Sequence, residues 1–197
     1  GKTTLAVGDA RGNVGVWFRV KPEGFTDFDG STLAREHFFP GRGSPVTALS
    51  PSLRSRTLAA GFEDGSLALF QVTAENVIAR TEGLPSEPLL AVAIAPRDDE
   101  VFGVTPRSFV EWSVDAAHPE ITPASILGRV WYEGAPEPEH VWQSSSGTDD
   151  FEPKYGLMPL IFGTIKATVY SLLFGAPLAL LAAIYTSEVL TPRVRMR

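Results

Sequence analysis

Few side chains in this 197-residue sequence are placed to do chemistry. Gly1-Lys2-Thr3-Thr4 has the form of the tail of a phosphate loop, G-x-x-x-x-G-K-[ST]. That loop cradles phosphate only between a glycine-rich turn and a following helix. Here the strand-like LAVGD follows, so Lys2 reads as a solvated charge at a strand edge. His37, His118 and His140 are far apart and in no metal-binding spacing, and each reads as a surface or turn histidine. Asp98-Asp99-Glu100 has the charge to hold a cation but fits an exposed acidic loop better. No serine stands in G-x-S-x-G, and with no cysteine there is no disulfide, thiolate nucleophile or Cys-ligated zinc. The reading is of a protein that is not an enzyme and needs no cofactor or metal.

The remaining candidate is Lys166, the only ionisable side chain from Leu157 to Ile184. Those residues span roughly 42 Å as a helix, against a hydrocarbon core of about 30 Å. A soluble core helix of that length would show a charged stripe, and none is present. The segment is predicted to cross a lipid bilayer. Lys166 then lies about 13 Å inside the span, and two readings stay open: it snorkels outward, or it faces a polar path. Gly163, Ala167, Ser171 and Gly175, continued by Ala179 and Ala183, recur every four residues. Small residues at that spacing let helices approach closely in lipid, which predicts a member of a helix bundle in preference to a lone anchor. Pro177 removes a backbone hydrogen bond and is expected to kink the helix.

The elements that position this span differ from it in composition. Residues 1–150 carry 12 Lys and Arg against 21 Asp and Glu, a net −9; residues 151–197 carry 5 against 2, a net +3. The acidic part has the size of one soluble domain and lacks the basic stripe that nucleic acid requires. Arg193, Arg195 and Arg197 follow the span, whereas Lys154 alone precedes it. The positive-inside rule therefore predicts a cytoplasmic C-terminus and an outward-facing acidic domain. The absence of an initiator Met suggests a piece of a longer chain, with an export signal or earlier helix expected upstream.

Within the acidic part, LAVGDARGNVGVW (5–17) aligns without a gap on LAAGFEDGSLALF (58–70), and EVFGVTPRSFVEW (100–112) is a third copy with one residue of slippage. VTALSPS from Val46 and VAIAPRD from Val92 precede the second and third copies. Thr57–Gly61 and Ser66–Val72 have strand length, and Glu63-Asp64-Gly65 and Ala10-Arg11-Gly12 supply hairpin turns. Thr105-Pro106-Arg107 has no glycine and must turn differently. Outer strands are expected near 34–39, 76–80 and 121–127. Units of about 40–50 residues with short strands and a glycine turn resemble the blades of WD40-type propellers, although the Trp-Asp pair is missing. The fold class predicted is mainly β, partial WD40-like propeller blades followed by a C-terminal transmembrane helix. Two strands of one blade, one whole blade and most of a third are expected, too few to close a ring.

Between blades and span, Pro119, Pro123, Pro136, Pro138 and Pro153 predict an extended or turn-rich neck, not a helix. Its aromatic residues Trp131, Tyr132, Trp142 and Tyr155 pack against the last blade, or Trp142 and Tyr155 lie at headgroup level; both readings stay open. The stretch GRVWYEGAPEPEHVWQSSSGTDDFEPKYGLMPLIFGTIKATVYSLLFGAPLALLAAIYTSEV (Gly128–Val189) resembles the neck and second membrane helix of phosphate ABC transporter permeases, in their long form with a WD40-like periplasmic domain. The resemblance implies propeller blades over 1–127, a neck over 128–155, a permease helix over 156–190 and a cytoplasmic basic segment over 191–197. It also implies a bacterial inner membrane, a second permease subunit, cytoplasmic ATPase subunits and a periplasmic phosphate-binding protein as partners. The alternative is a membrane-tethered propeller that serves only as a protein-interaction scaffold.

Overall fold

The computed structural model describes residues 4–20, 30–82, 87–146 and 152–188. Gly1-Lys2-Thr3, Asp149, Asp150, Arg193, Arg195 and Arg197, and with them segment 191–197, lie outside the described residues. The chain divides into two compact units, Gly1–Gly156 and Leu157–Arg197. The first is mainly β and the second holds one long apolar helix.

Among the described residues, three antiparallel sheets of three or four strands form most of the first unit. The middle blade has four strands in the order β4(Val46–Pro51), β5(Thr57–Phe62), β6(Leu67–Gln71), β7(Asn76–Arg80). The blade before it has three, β1(Leu5–Gly8), β2(Val14–Val20) and β3(Thr32–Phe39). The blade after it also has three, β8(Ala91–Ile94), β9(Glu100–Val104) and β10(Phe109–Ser113). The third strand of the first blade, β3, is the outer strand expected near 34–39, and it pairs along the whole of β2.

The repeats set the register. Leu5 pairs with Trp17 in the first blade and Leu58 with Phe70 in the second, at the 53-residue offset of the sequence match. Gly12 (φ +81°) and Gly65 (φ +78°) occupy the same left-handed turn position, which a side chain would strain. In the third blade the turn between Val104 and Phe109 is residues 105–108, one shorter than the 62–66 turn between Gly61 and Leu67. Thr105 does the work of the missing glycine: its hydroxyl accepts from the backbone N–H of Arg107 and Ser108. That shorter turn is the one-residue slip, and it makes Val101 the partner of Trp112, as Leu58 is of Phe70.

Strand alternation gives each sheet two faces. Val14, Val16, Phe18 and Phe39 of the first blade bury against Leu58, Ala60, Phe62 and Phe70 of the second. On its other side the second blade buries Ala59, Leu67 and Leu69 against Leu89 and Val101, with Trp112 packed on that cluster. Among the described residues, the middle blade is the one with buried clusters on both faces.

The expected outer strand at 121–127 is not a strand. Thr122 caps a short helix α1(Pro123–Leu127): its hydroxyl accepts from the Ser125 N–H while the Ser125 hydroxyl accepts from the Thr122 N–H, a capping box with Pro123 at the first helical position. A proline there cannot donate to a ladder, so local chemistry overrides the repeat. The segment expected to be an extended neck thus contains a helix, and it belongs to the same compact unit as the blades. A two-strand pairing, β11(Trp142–Gln143) with β12(Lys154–Tyr155), ends this unit.

Candidate functional site

The second unit is built on α2(Met158–Glu188), a helix of 31 residues that continues through Pro177 and is long and apolar enough to cross a membrane. At 1.5 Å per residue it reaches about 46 Å, more than the hydrocarbon core. Thr164, Thr168 and Thr186 return their hydroxyls to the carbonyls of Leu160, Thr164 and Ala182, so these polar groups are satisfied within the helix itself. Gly163, Ala167, Ser171 and Gly175 all lie on this helix, with nothing within 4 Å of a Cβ built at Gly163 or Gly175. Lys166 lies over the ring of Tyr170, one turn on, with its Nζ 5.7 Å from the ring centroid. A cation over an aromatic face recovers part of the hydration lost in lipid. The Lys-x-x-x-Tyr spacing that places them so is plain in the sequence.

The residues leading into this helix are held by the middle blade. Arg56, at the start of β5, pairs with Glu133 and, at 3.2 Å, with Glu152. All three are largely buried, and the Glu152 carboxylate also accepts from the Thr73 hydroxyl. Trp131 packs on the core between the first two blades and donates its indole N–H to the Ala135 carbonyl. Trp142 and Tyr155 meet edge to face at 5.8 Å across β11 and β12. A cleft of about 760 Å³ adjoins this clamp, lined by Arg54, Arg56, Arg97, His118, Glu120 and Tyr155 among others. Its charges are largely spent: His118 meets Glu120 at 3.1 Å, Arg97 meets Asp99 at 3.3 Å, and Asp98 accepts the Ser52 hydroxyl at 2.7 Å. The acidic trio 98–100 is therefore a structural joint between turns, Glu100 lying in β9. Among the described residues no group of three or more His, Asp or Glu is arranged to hold a metal ion.

Tyr132, 4% exposed, sits beneath this clamp with the Lys154 Nζ 4.6 Å from its ring centroid. Burial first, then the charges of Glu152 and Glu139, push its hydroxyl up to about 12. An unfolded tyrosine ionises near pH 10. The folded value is the higher, so this group's contribution to stability is complete below about pH 10 and is lost as the pH climbs to about 12. Absorbance titration at alkaline pH should show one late phenolate step that is missing from Tyr132→Phe.

Sequence reasoning missed a second polar site. His37 is not on the surface: it is 4% exposed and its Nδ1 lies 2.9 Å from the Glu75 carboxylate. The β2–β3 register shifts at Val16/Trp17, which leaves Glu36 as the extra residue of a β-bulge. A bulge re-aims side chains, and here Glu36 and His37 both line a cavity of about 200 Å³. Both Glu36 carboxylate oxygens and the His37 Nε2 are buried without a partner. Burial raises the Glu36 carboxyl above its ordinary range. Its stabilising form is the protonated one, present at low pH and lost as the pH rises through the folded value. Glu36→Gln should therefore stabilise the fold at neutral pH by about 1–3 kcal/mol and leave it unchanged below about pH 4, measured by denaturant unfolding. Only a bulge signal could have revealed this site, and a single sequence carries none.

No family model matches the chain. Over 40 residues it is 45% identical to the probable ABC transporter permease protein YqgH of Bacillus subtilis (strain 168). That stretch is 20% of this chain and 13% of the relative, so the likeness reaches only a small part of the curated protein. Among solved structures, the β-propeller domain of Myceliophteria thermophila Cps50 (Swd1) is similar over 57% of this chain and 37% of its own, with a TM-score of 0.46 and 18% identity. The chain is thus mainly β, with propeller-like blades, a long apolar helix and a stretch similar to an ABC transporter permease.

Proposed function

We propose that this chain forms part of the membrane permease subunit of an ATP-driven phosphate importer, with α2 crossing the bacterial inner membrane. The observation that carries this reading is the 45% identity to an ABC transporter permease, which a long apolar helix accompanies. The blades face the periplasm and serve as a docking or regulatory module, an orientation favoured by Arg193, Arg195 and Arg197 after the span against Lys154 before it. The row Gly163, Ala167, Ser171, Gly175 packs against neighbouring helices of the bundle, and Lys166 snorkels outward. A second permease subunit, cytoplasmic ATPase subunits and a periplasmic phosphate-binding protein complete the assembly. Segment 128–155 is the neck, or linker, between the blades and the span.

Uptake of labelled phosphate by cells carrying the gene, compared with an in-frame deletion of 158–188, tests the transport role. Lost uptake supports it; unchanged uptake rejects it in favour of a membrane-tethered propeller scaffold. Protease treatment of spheroplasts tests the orientation: fragments cut within 4–156 from outside are expected, and a blade unit protected until the membrane is opened would reverse it.

A further inference from the structure

We infer that the cavity between β3, the β6–β7 turn and the segment after α1 binds a small primary ammonium ion through Glu36, His37 and Trp131. The inference does not rest on the permease reading. The cavity measures about 200 Å³. At about 30 Å³ for each water-sized atom it has room for about six non-hydrogen atoms, which suits a small ion and is too little for a nucleotide or a peptide.

The polar wall of this cavity is made of acceptors. The ionised Glu75 carboxylate can only accept, so across the 2.9 Å contact the proton sits on the His37 Nδ1. In the neutral ring Nε2 is then a bare acceptor. That Nε2 and both Glu36 carboxylate oxygens are buried with no partner among the described residues, and His37 as a whole is 4% exposed. The hydroxyls that line the cavity are engaged elsewhere: Thr73 donates to Glu152, and Ser125 to the Glu120 carbonyl. The Trp131 N–H is likewise held by the Ala135 carbonyl, so this residue offers the cavity only its ring.

Three buried acceptors and an aromatic ring call for a ligand that donates. A primary ammonium carries three N–H donors, which matches the count, and its charge is attracted to an indole face. The charge balance agrees. Glu36, Glu75 and Arg129 are the charged groups lining the cavity, and they leave one negative charge for the ligand to neutralise. Arg129 is exposed, whereas the Glu36 oxygens are not. Burial raises the Glu36 carboxyl, as it does for a carboxylate without a counter-charge, and an ammonium supplies one. A metal ion fits less well, since among the described residues no group of three or more His, Asp or Glu is arranged to hold one.

The test titrates the full chain in detergent with methylammonium and with ethanolammonium at constant ionic strength. Calorimetry reads the affinity, and nitrogen NMR of labelled histidines reads the site. A dissociation constant of about 1 mM is expected for so few ligand atoms, with the His37 Nε2 resonance moving to its hydrogen-bonded position. Glu36→Gln keeps the shape without the charge and should raise that constant about tenfold or more. The variant is expected to be the more stable at neutral pH, so lost binding is not lost folding. Tetramethylammonium has the charge but no N–H, and should also bind about tenfold or more weakly. With methylammonium at about ten times its dissociation constant, the folding constant of the natural chain should rise about tenfold and that of Glu36→Gln should stay put. Neither heat nor a resonance shift at about 50 mM amine would overturn the inference and leave a cavity that holds water alone. Undiminished binding in Glu36→Gln would overturn it by placing the amine elsewhere. Equal binding of tetramethylammonium would do so by showing that no N–H donor is read.

Discussion

Arg56→Ala should cost the blade unit about 3–5 kcal/mol, the loss seen when one partner of a buried ion pair is removed. The guanidinium serves Glu133 and Glu152 together, and all three side chains are about four-fifths or more buried. Deleting it leaves two carboxylates in a poorly hydrated place with their shared cation gone. The loss should be almost the same at about 0.05 M and 0.5 M salt, because buried pairs are little screened. Arg56→Met keeps the apolar stem and so separates packing from charge. It should recover less than half of the lost stability. Denaturant unfolding followed by Trp fluorescence reads both, since Trp131 packs on the adjoining core. A cost below about 1 kcal/mol for Arg56→Ala would mean the clamp behaves as a surface pair. Glu152 lies four residues before the end of the blade unit, so the same clamp ties the end of that unit to its middle blade.

The order of strands was legible because the blade repeat is written in residues that local geometry demands. Gly12 and Gly65 are fixed by a left-handed turn, and the aromatics Trp17, Phe70 and Trp112 by one position on the strand that follows the turn. α2 was legible for a similar reason, since 28 residues with one ionisable side chain read as a long apolar helix whatever the rest of the chain does. What escaped was set by distance or by local competition. Arg56 reaches residues 77 and 96 positions away, and no periodicity links them. The bulge at Glu36 depends on how β3 lies on β2, so a buried carboxylate and a buried imidazole read as ordinary surface residues. At 121–127 the capping chemistry of Thr122, Pro123 and Ser125, present in the sequence, overrides the repeat. Lys166 and Tyr170 stand at a spacing that brings side chains together on any helix.

Phe70→Ala should be the most damaging single truncation in the blades, at about 3–5 kcal/mol. Phe70 is 1% exposed, its ring meets Phe39 of the first blade at 4.5 Å, and the Arg80 guanidinium covers it at 5.5 Å. Its equivalents Trp17 and Trp112 are larger but only half-buried. If side-chain size ruled, Trp112→Ala would cost more. Coverage rules instead, because the penalty grows with the cavity left inside a packed interior, and a half-exposed site lets water refill the space. Trp112→Ala should therefore cost less than Phe70→Ala, by about 1 kcal/mol or more. Phe70→Leu, which keeps most of the volume, should restore more than half of the loss. Equal costs for Phe70→Ala and Trp112→Ala would mean that the third blade is as fully covered in solution as the second.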